Sequence, residues 1–271
     1  MACYSIWNVG VACLLMAASS WAYITDVSAS NESLFFMVLA LFHGIFAIWF
    51  WQGKQLLPFM RVSVITRLLL VCVYWVSAMQ AHSSGRDLNL PVSLVDIYIV
   101  YLVMQGAIDF IGSMTTAVLL RKNEIPSSRT PIKPVISELN LEVKNRFLFA
   151  LYMVAIGAWM LSSTDGFLSF FHLPESEFTG WSVNSKSSVP GPIHLTGILI
   201  IVLALYNFVA VRYRLVELIT AGVRGGLFTS LFVLLLVTSG MLHPITLLLP
   251  AVDLISVGAI LFIRLKKVLK Q

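Results

Sequence analysis

Eight apolar runs, at about 5–24, 34–52, 62–80, 95–119, 147–163, 193–211, 223–242 and 246–263, occupy most of this 271-residue chain. A helix needs about 17–25 mostly apolar residues to cross a membrane, because each residue rises about 1.5 Å against a hydrocarbon core about 30 Å thick. Every run reaches that length. The expected fold is therefore all-α, a polytopic membrane protein with eight transmembrane helices. Composition excludes the other classes. The chain is 58% apolar and 11% charged, with a mean hydropathy of +0.88, whereas a soluble domain has about 45–50% apolar and about 25% charged residues. The seventh and eighth runs are joined only by the stretch around His243-Pro244 and must be antiparallel neighbours. The first run lacks a basic leading segment, so it is expected to be a retained helix rather than a signal peptide.

The net charge of +5 could suggest nucleic acid. The basic residues, however, sit at the ends of apolar runs instead of on one soluble face, which excludes that partner. Of the 18 lysines and arginines, only Arg86 and Lys186 fall on one side of the threaded chain. Basic loops stay in the cytoplasm, so both termini and the central linker are expected there. Cys3, Cys13 and Cys72 have no metal-like spacing and read as buried small hydrophobes. The tryptophans mostly fall near run ends, as interfacial anchors do.

Two stretches echo each other. Ala107-Ile108-Asp109-Phe110-Ile111 in the fourth run resembles Ala251-Val252-Asp253-Leu254-Ile255 in the eighth, and each leads to a basic exit. Arg67 opens the third run and Arg224 the seventh, while His43-Gly44 is echoed by His194 and Gly197. An arginine followed by an intramembrane aspartate thus occurs twice in the same order. This predicts a tandem duplication, with residues 1–120 as one four-helix repeat, 121–146 as a cytoplasmic linker and 147–271 as the second repeat. Four crossings bring each copy in from the same side, so the pseudo-two-fold axis should lie along the membrane normal. The outer stretch from Gly166 to Pro174 reads as a re-entrant or interface-lying piece.

An aspartate at mid-membrane costs about 2.5–3.5 kcal/mol and needs a partner. The expected pairs are Arg67 with Asp109 and Arg224 with Asp253, one in each half. Two readings stand for them: a structural clamp between neighbouring helices, or a proton or ion relay. Asp96, Gln105 and Asp109 share the fourth run, and Gln105, Asp96 and His43 are candidates to line a cavity. His43 has no second histidine or carboxylate at helical ligand spacing, so no metal is expected there. Asn8 and Asn207 read as interhelical hydrogen-bonding residues. No H-E-x-x-H, G-x-S-x-G or phosphate-loop pattern occurs, so neither catalytic residues nor cofactors are expected.

With its arginine entering the third helix and its aspartate in the fourth before a basic exit, each half resembles DoxX-like and similar small bacterial four-helix membrane domains. The second half, with Phe171-His172-Leu173-Pro174 in its outer segment, is the clearer match. The resemblance implies a four-helix bundle in each half and a bacterial inner (cytoplasmic) membrane location, and carries over no catalytic residue. The expected function is that of a non-enzymatic bundle binding membrane lipid or a membrane protein partner. The alternative is a transporter whose small or apolar substrate sits between the repeats.

Overall fold

A computed structural model describes residues 2–25, 30–85, 92–122, 141–173 and 192–269. Within them the chain is helical throughout: α1 (Ala2–Thr25), α2 (Ser30–Gly53), α3 (Leu57–Gly85), α4 (Val92–Lys122), α5 (Leu141–Ser162), α6 (Thr164–Phe170), α7 (Pro192–Arg212), α8 (Val216–Thr238) and α9 (Leu248–Val268). Six of these are long and apolar enough to cross a membrane, while α1 and α2 carry shorter apolar stretches among their described residues. Most of the linker, the segment 174–191 and the side chain of Asp96 on α4 lie outside the described residues.

The helices pair as hairpins, α1 with α2, α3 with α4, α5 with α7, and α8 with α9. Across the hairpins α2 packs on α8, α3 on α7, and α5 on α9. The α8–α9 connection is tight for a local reason. Gly240 takes a left-handed φ of 79°, and the Gly240 and Met241 amides donate back to the carbonyls of Val237 and Leu236. This closes the helix end. A 3-10 turn, Pro244–Leu247, then starts on a proline and feeds α9.

Large apolar side chains cover the outside, among them Leu69 and Val76 on α3 and Val103 and Ile111 on α4. A contiguous apolar exterior on this scale fits acyl chains rather than water. The interior seam is aromatic. Tyr206 of α7, fully buried, is ringed by Phe46, Trp49 and Phe50 of α2 and Phe59 of α3 at 5.0–6.2 Å between ring centroids. Its hydroxyl meets Thr66 Oγ1 at 2.8 Å, which gives that polar atom a partner inside the cluster.

Several sequence expectations change here. Trp49 is a buried core residue instead of an interfacial anchor, because α2 is enclosed on the side that packs against α7 and α8. Cys3, Cys13 and Cys72 are exposed rather than buried. The described part of the outer stretch is a short helix, α6, whose Phe167 and Leu168 are buried. Phe167, Phe170 and Phe171 fold over Trp159 and close that end of α5.

Candidate functional site

Asp109 is buried at the centre of the first four helices. Arg67 reaches it from α3, Nε to Oδ1 at 2.9 Å, with both side chains at 2% exposure or less. Arg67 stands ten residues inside α3 instead of opening it, so it lies level with the carboxylate without stretching. Gln105, one turn before Asp109 on α4, donates to Oδ2 at 3.1 Å and accepts from Trp7 Nε1 at 3.1 Å. The hydroxyl of Tyr4 donates to Oδ1, and the Tyr4 ring lies 3.9 Å below the guanidinium. Ion pair, hydrogen bonds and cation–π contact act on one carboxylate in a dry setting, where each is stronger than in water.

Gly112 completes this arrangement. A Cβ at that position would collide with Arg67 Nη2, so only glycine leaves space for the guanidinium on α4. Next to it runs a second chain of hydrogen bonds. Asn8 Nδ2 donates to the Tyr4 carbonyl at 2.8 Å, and its Oδ1 accepts from His43 Nδ1 at 2.7 Å. His43 Nε2 then accepts from the Tyr101 hydroxyl at 2.6 Å. Both ring nitrogens of the histidine are thereby used. His43 and Gln105 were expected to line a cavity. Both sit in a hydrogen-bonded network inside the bundle, with partners on α1 and α4.

The second half is built differently. The expected Arg224–Asp253 pair does not form. Among the described residues the ion pairs are Arg67–Asp109 and Arg264–Glu142. Arg224 is exposed on α8. Gly222 and Gly226 line the face of α8 that packs inward, against Arg146 and against Val257 and Asp253. Two residues turn a helix by about 200°, so a residue two positions after Gly222 must point away from Asp253.

The cation that opposes Asp253 is Arg146, from α5. It is 1% exposed, and its guanidinium lies 4.9 Å over the Phe149 ring. A Cβ on Gly222 would strike it, as one on Gly112 would strike Arg67. Unlike Arg67 it makes no ion pair, and both its Nε and Nη2 have no hydrogen-bond partner, where Arg67 leaves Nη2 alone without one. The hydropathy pattern puts Arg146 in the linker, because the apolar run begins one residue later. The helix begins at Leu141, which draws the arginine inside.

Asp253 is half-buried because one side of it borders a chamber. The chamber has a volume of about 200 Å³, far above the ~10–15 Å³ that one water requires. It lies between α2 of the first half and α5, α7, α8 and α9 of the second. Its walls are almost entirely apolar, with Phe42, Met153, Ile156, Ile200 and Val233 typical of them, and among the described residues Asp253 is the one charged residue at its surface. Nothing in the sequence announces this space, which arises where faces of five helices fail to close. No three His, Cys, Asp or Glu side chains gather as metal ligands among the described residues. No family model matches the chain, and no curated protein or solved structure is significantly similar to it.

Proposed function

We propose that this protein is a non-enzymatic, eight-crossing membrane protein that holds an apolar ligand, a single lipid-like molecule, in the chamber beside Asp253. The observation that carries this reading is the chamber itself: about 200 Å³ of apolar space between α2 and the second half, with Asp253 the one charged residue on its wall among the described residues. Small-molecule sites are concave, mostly apolar and furnished with a few fixed polar groups. Its place at the meeting of α2 with the second half is also where a carrier built from two repeats would keep its substrate. Transport of that ligand is therefore the second reading.

The two-repeat architecture, residues 1–120 and 147–271 about a linker at 121–146, draws support from the packing pattern. The pairings α1–α2 and α3–α4 recur as α5–α7 and α8–α9, and the cross-contact of α2 with α8 has its counterpart in α7 with α3. The hydrogen bonds from α1 to Asp109 on α4 parallel those from Asn145 on α5 to Ser256 on α9. A pseudo-two-fold along the membrane normal and descent from a DoxX-like four-helix unit belong to the same proposal. So do cytoplasmic termini in a bacterial inner membrane, which rest on the lysine and arginine distribution and on that resemblance.

The test is purification in a mild detergent followed by mass spectrometry of extracted lipids. Wild-type protein should carry a lipid enriched over its abundance in the membrane. Ile200→Phe, which fills the chamber from α7, should lose it while remaining folded. Equal lipid profiles for the two proteins would overturn the reading.

A further inference from the structure

We infer that the chamber's ligand is a single-chain amphiphile whose small head is a neutral hydrogen-bond donor, a hydroxyl, seated against Asp253. This rests on the ligand-binding reading above and gives that ligand a chemical class.

The shape comes first. Wall residues run from Phe149 to Met160 on α5 and from Leu203 back to Ile193 on α7, about 15 Å of length at about 1.5 Å per residue. Asp253 stands at the Phe149 end, because α5 and α9 pair antiparallel through Tyr152 with Leu249 and Asn145 with Ser256. Phe167, Leu173 and Leu242 line the opposite end. About 200 Å³ spread along that length admits one extended chain, not two. Asp253 lies eleven residues before Arg264, so the polar end is deep in the membrane. A phosphate-bearing headgroup would have to leave water entirely to reach it.

Hydrogen-bond capacity then selects the head. Thr229 on the wall already donates its proton to the Gly225 carbonyl at 2.9 Å. Tyr152 donates to the Leu249 carbonyl at 3.3 Å, and the Asp253 carboxyl brings two oxygens that accept hydrogen bonds. What faces the chamber at this end is a set of lone pairs. A ligand there must bring a donor.

Charge decides between donors. Arg146 stands behind the Phe149 wall with two nitrogens unpartnered and opposes Asp253. That guanidinium offsets part of the Asp253 charge from behind the wall. An ammonium head would lose its hydration and meet a carboxylate whose charge is already partly offset. A carboxylate head would meet a second carboxylate with no donor between them. A hydroxyl loses little on leaving water and recovers it by donating to Asp253.

The experiment uses the full-length protein in lipid nanodiscs and a twelve-carbon alcohol with a photoreactive diazirine in its chain. Labelled residues are mapped by peptide mass spectrometry. Saturable labelling is expected within residues 149–160 and at Phe167. 1-Dodecanol should compete at a concentration at least tenfold lower than dodecylamine or dodecanoate. Asp253→Leu should abolish that preference, and the ranking in wild-type protein stands as a test even should that variant not fold. Chamber labelling with equal competition by all three heads, or with amine or acid ahead, overturns this inference and leaves the binding reading intact. Labelling that never becomes saturable in the chamber removes both.

Discussion

Asp109 and Asp253 occupy matching places in the chain and have opposite surroundings. Asp109 accepts from Arg67, Gln105 and Tyr4 and is fully buried. Asp253 has an opposing arginine that does not touch it and a chamber on its free side. The cation has also changed helices, from α3 in the first half to α5 in the second, although a glycine on the neighbouring helix makes room for it in both cases. A buried carboxylate bonded at both oxygens holds helices together. One left partly unbonded next to a cavity costs stability.

The sharpest way to break this comparison is to remove each acid in turn. Asp109→Leu strands a buried guanidinium among apolar rings, and breaking such a pair costs about 3–5 kcal/mol. The folded, monodisperse fraction in fluorescence-detected size exclusion should collapse. The double variant with Arg67→Leu removes both charges and should recover most of it, because a buried pair exchanged for apolar residues of similar volume is often neutral. Were the single variant to fold normally and lose only function, the pair would be a relay instead of a clamp. Asp253→Asn, by contrast, breaks no bonded pair. It should melt within about 1 kcal/mol of wild type and should show its effect in ligand content instead.

Gly112→Ala is next in size. The added methyl can be accommodated only if Arg67 moves off Asp109, so the expected loss is about 1–3 kcal/mol, in the range of core overpacking. Gly222→Ala displaces Arg146, which has no ion pair to lose. Its melting temperature should fall by less than that of Gly112→Ala, and a larger fall would mean that Arg146 is held more firmly than its geometry indicates.

Of these two sites, the first is largely legible in the sequence and the second is not. Arg67 and Asp109 lie on consecutive helices of one hairpin, so hydropathy and spacing alone bring them together. The parts played by Tyr4 and Trp7 are not legible, because a polar atom on an otherwise apolar run carries no sign of which helix it will face. The second site misleads because the arginine that matches Arg67 by order is not the one that matches it in space. Arg224 follows Gly222 by two residues and so takes the far side of α8. Arg146 is hidden by a boundary, since α5 starts six residues before its apolar run. A helix face is set by what packs on it, and a single sequence gives the period of that face but not its partner. The chamber belongs to no helix at all, which is why no run of residues foretells it.

The smallest expected effect tests the reassignment directly. If Arg146 opposes Asp253 and Arg224 faces outward, Arg224→Gln should leave melting temperature and ligand content unchanged, within about 0.5 kcal/mol for an exposed position. Arg146→Gln removes the opposing charge while keeping a hydrogen-bonding side chain of lesser reach. With the negative charge of Asp253 no longer offset, the chamber should turn toward ammonium heads, and dodecylamine should gain on 1-dodecanol in the photolabelling competition. A reversal of roles, in which Arg224→Gln shifts the head preference and Arg146→Gln does not, would restore the order-based pairing and with it a symmetric relation between the two halves.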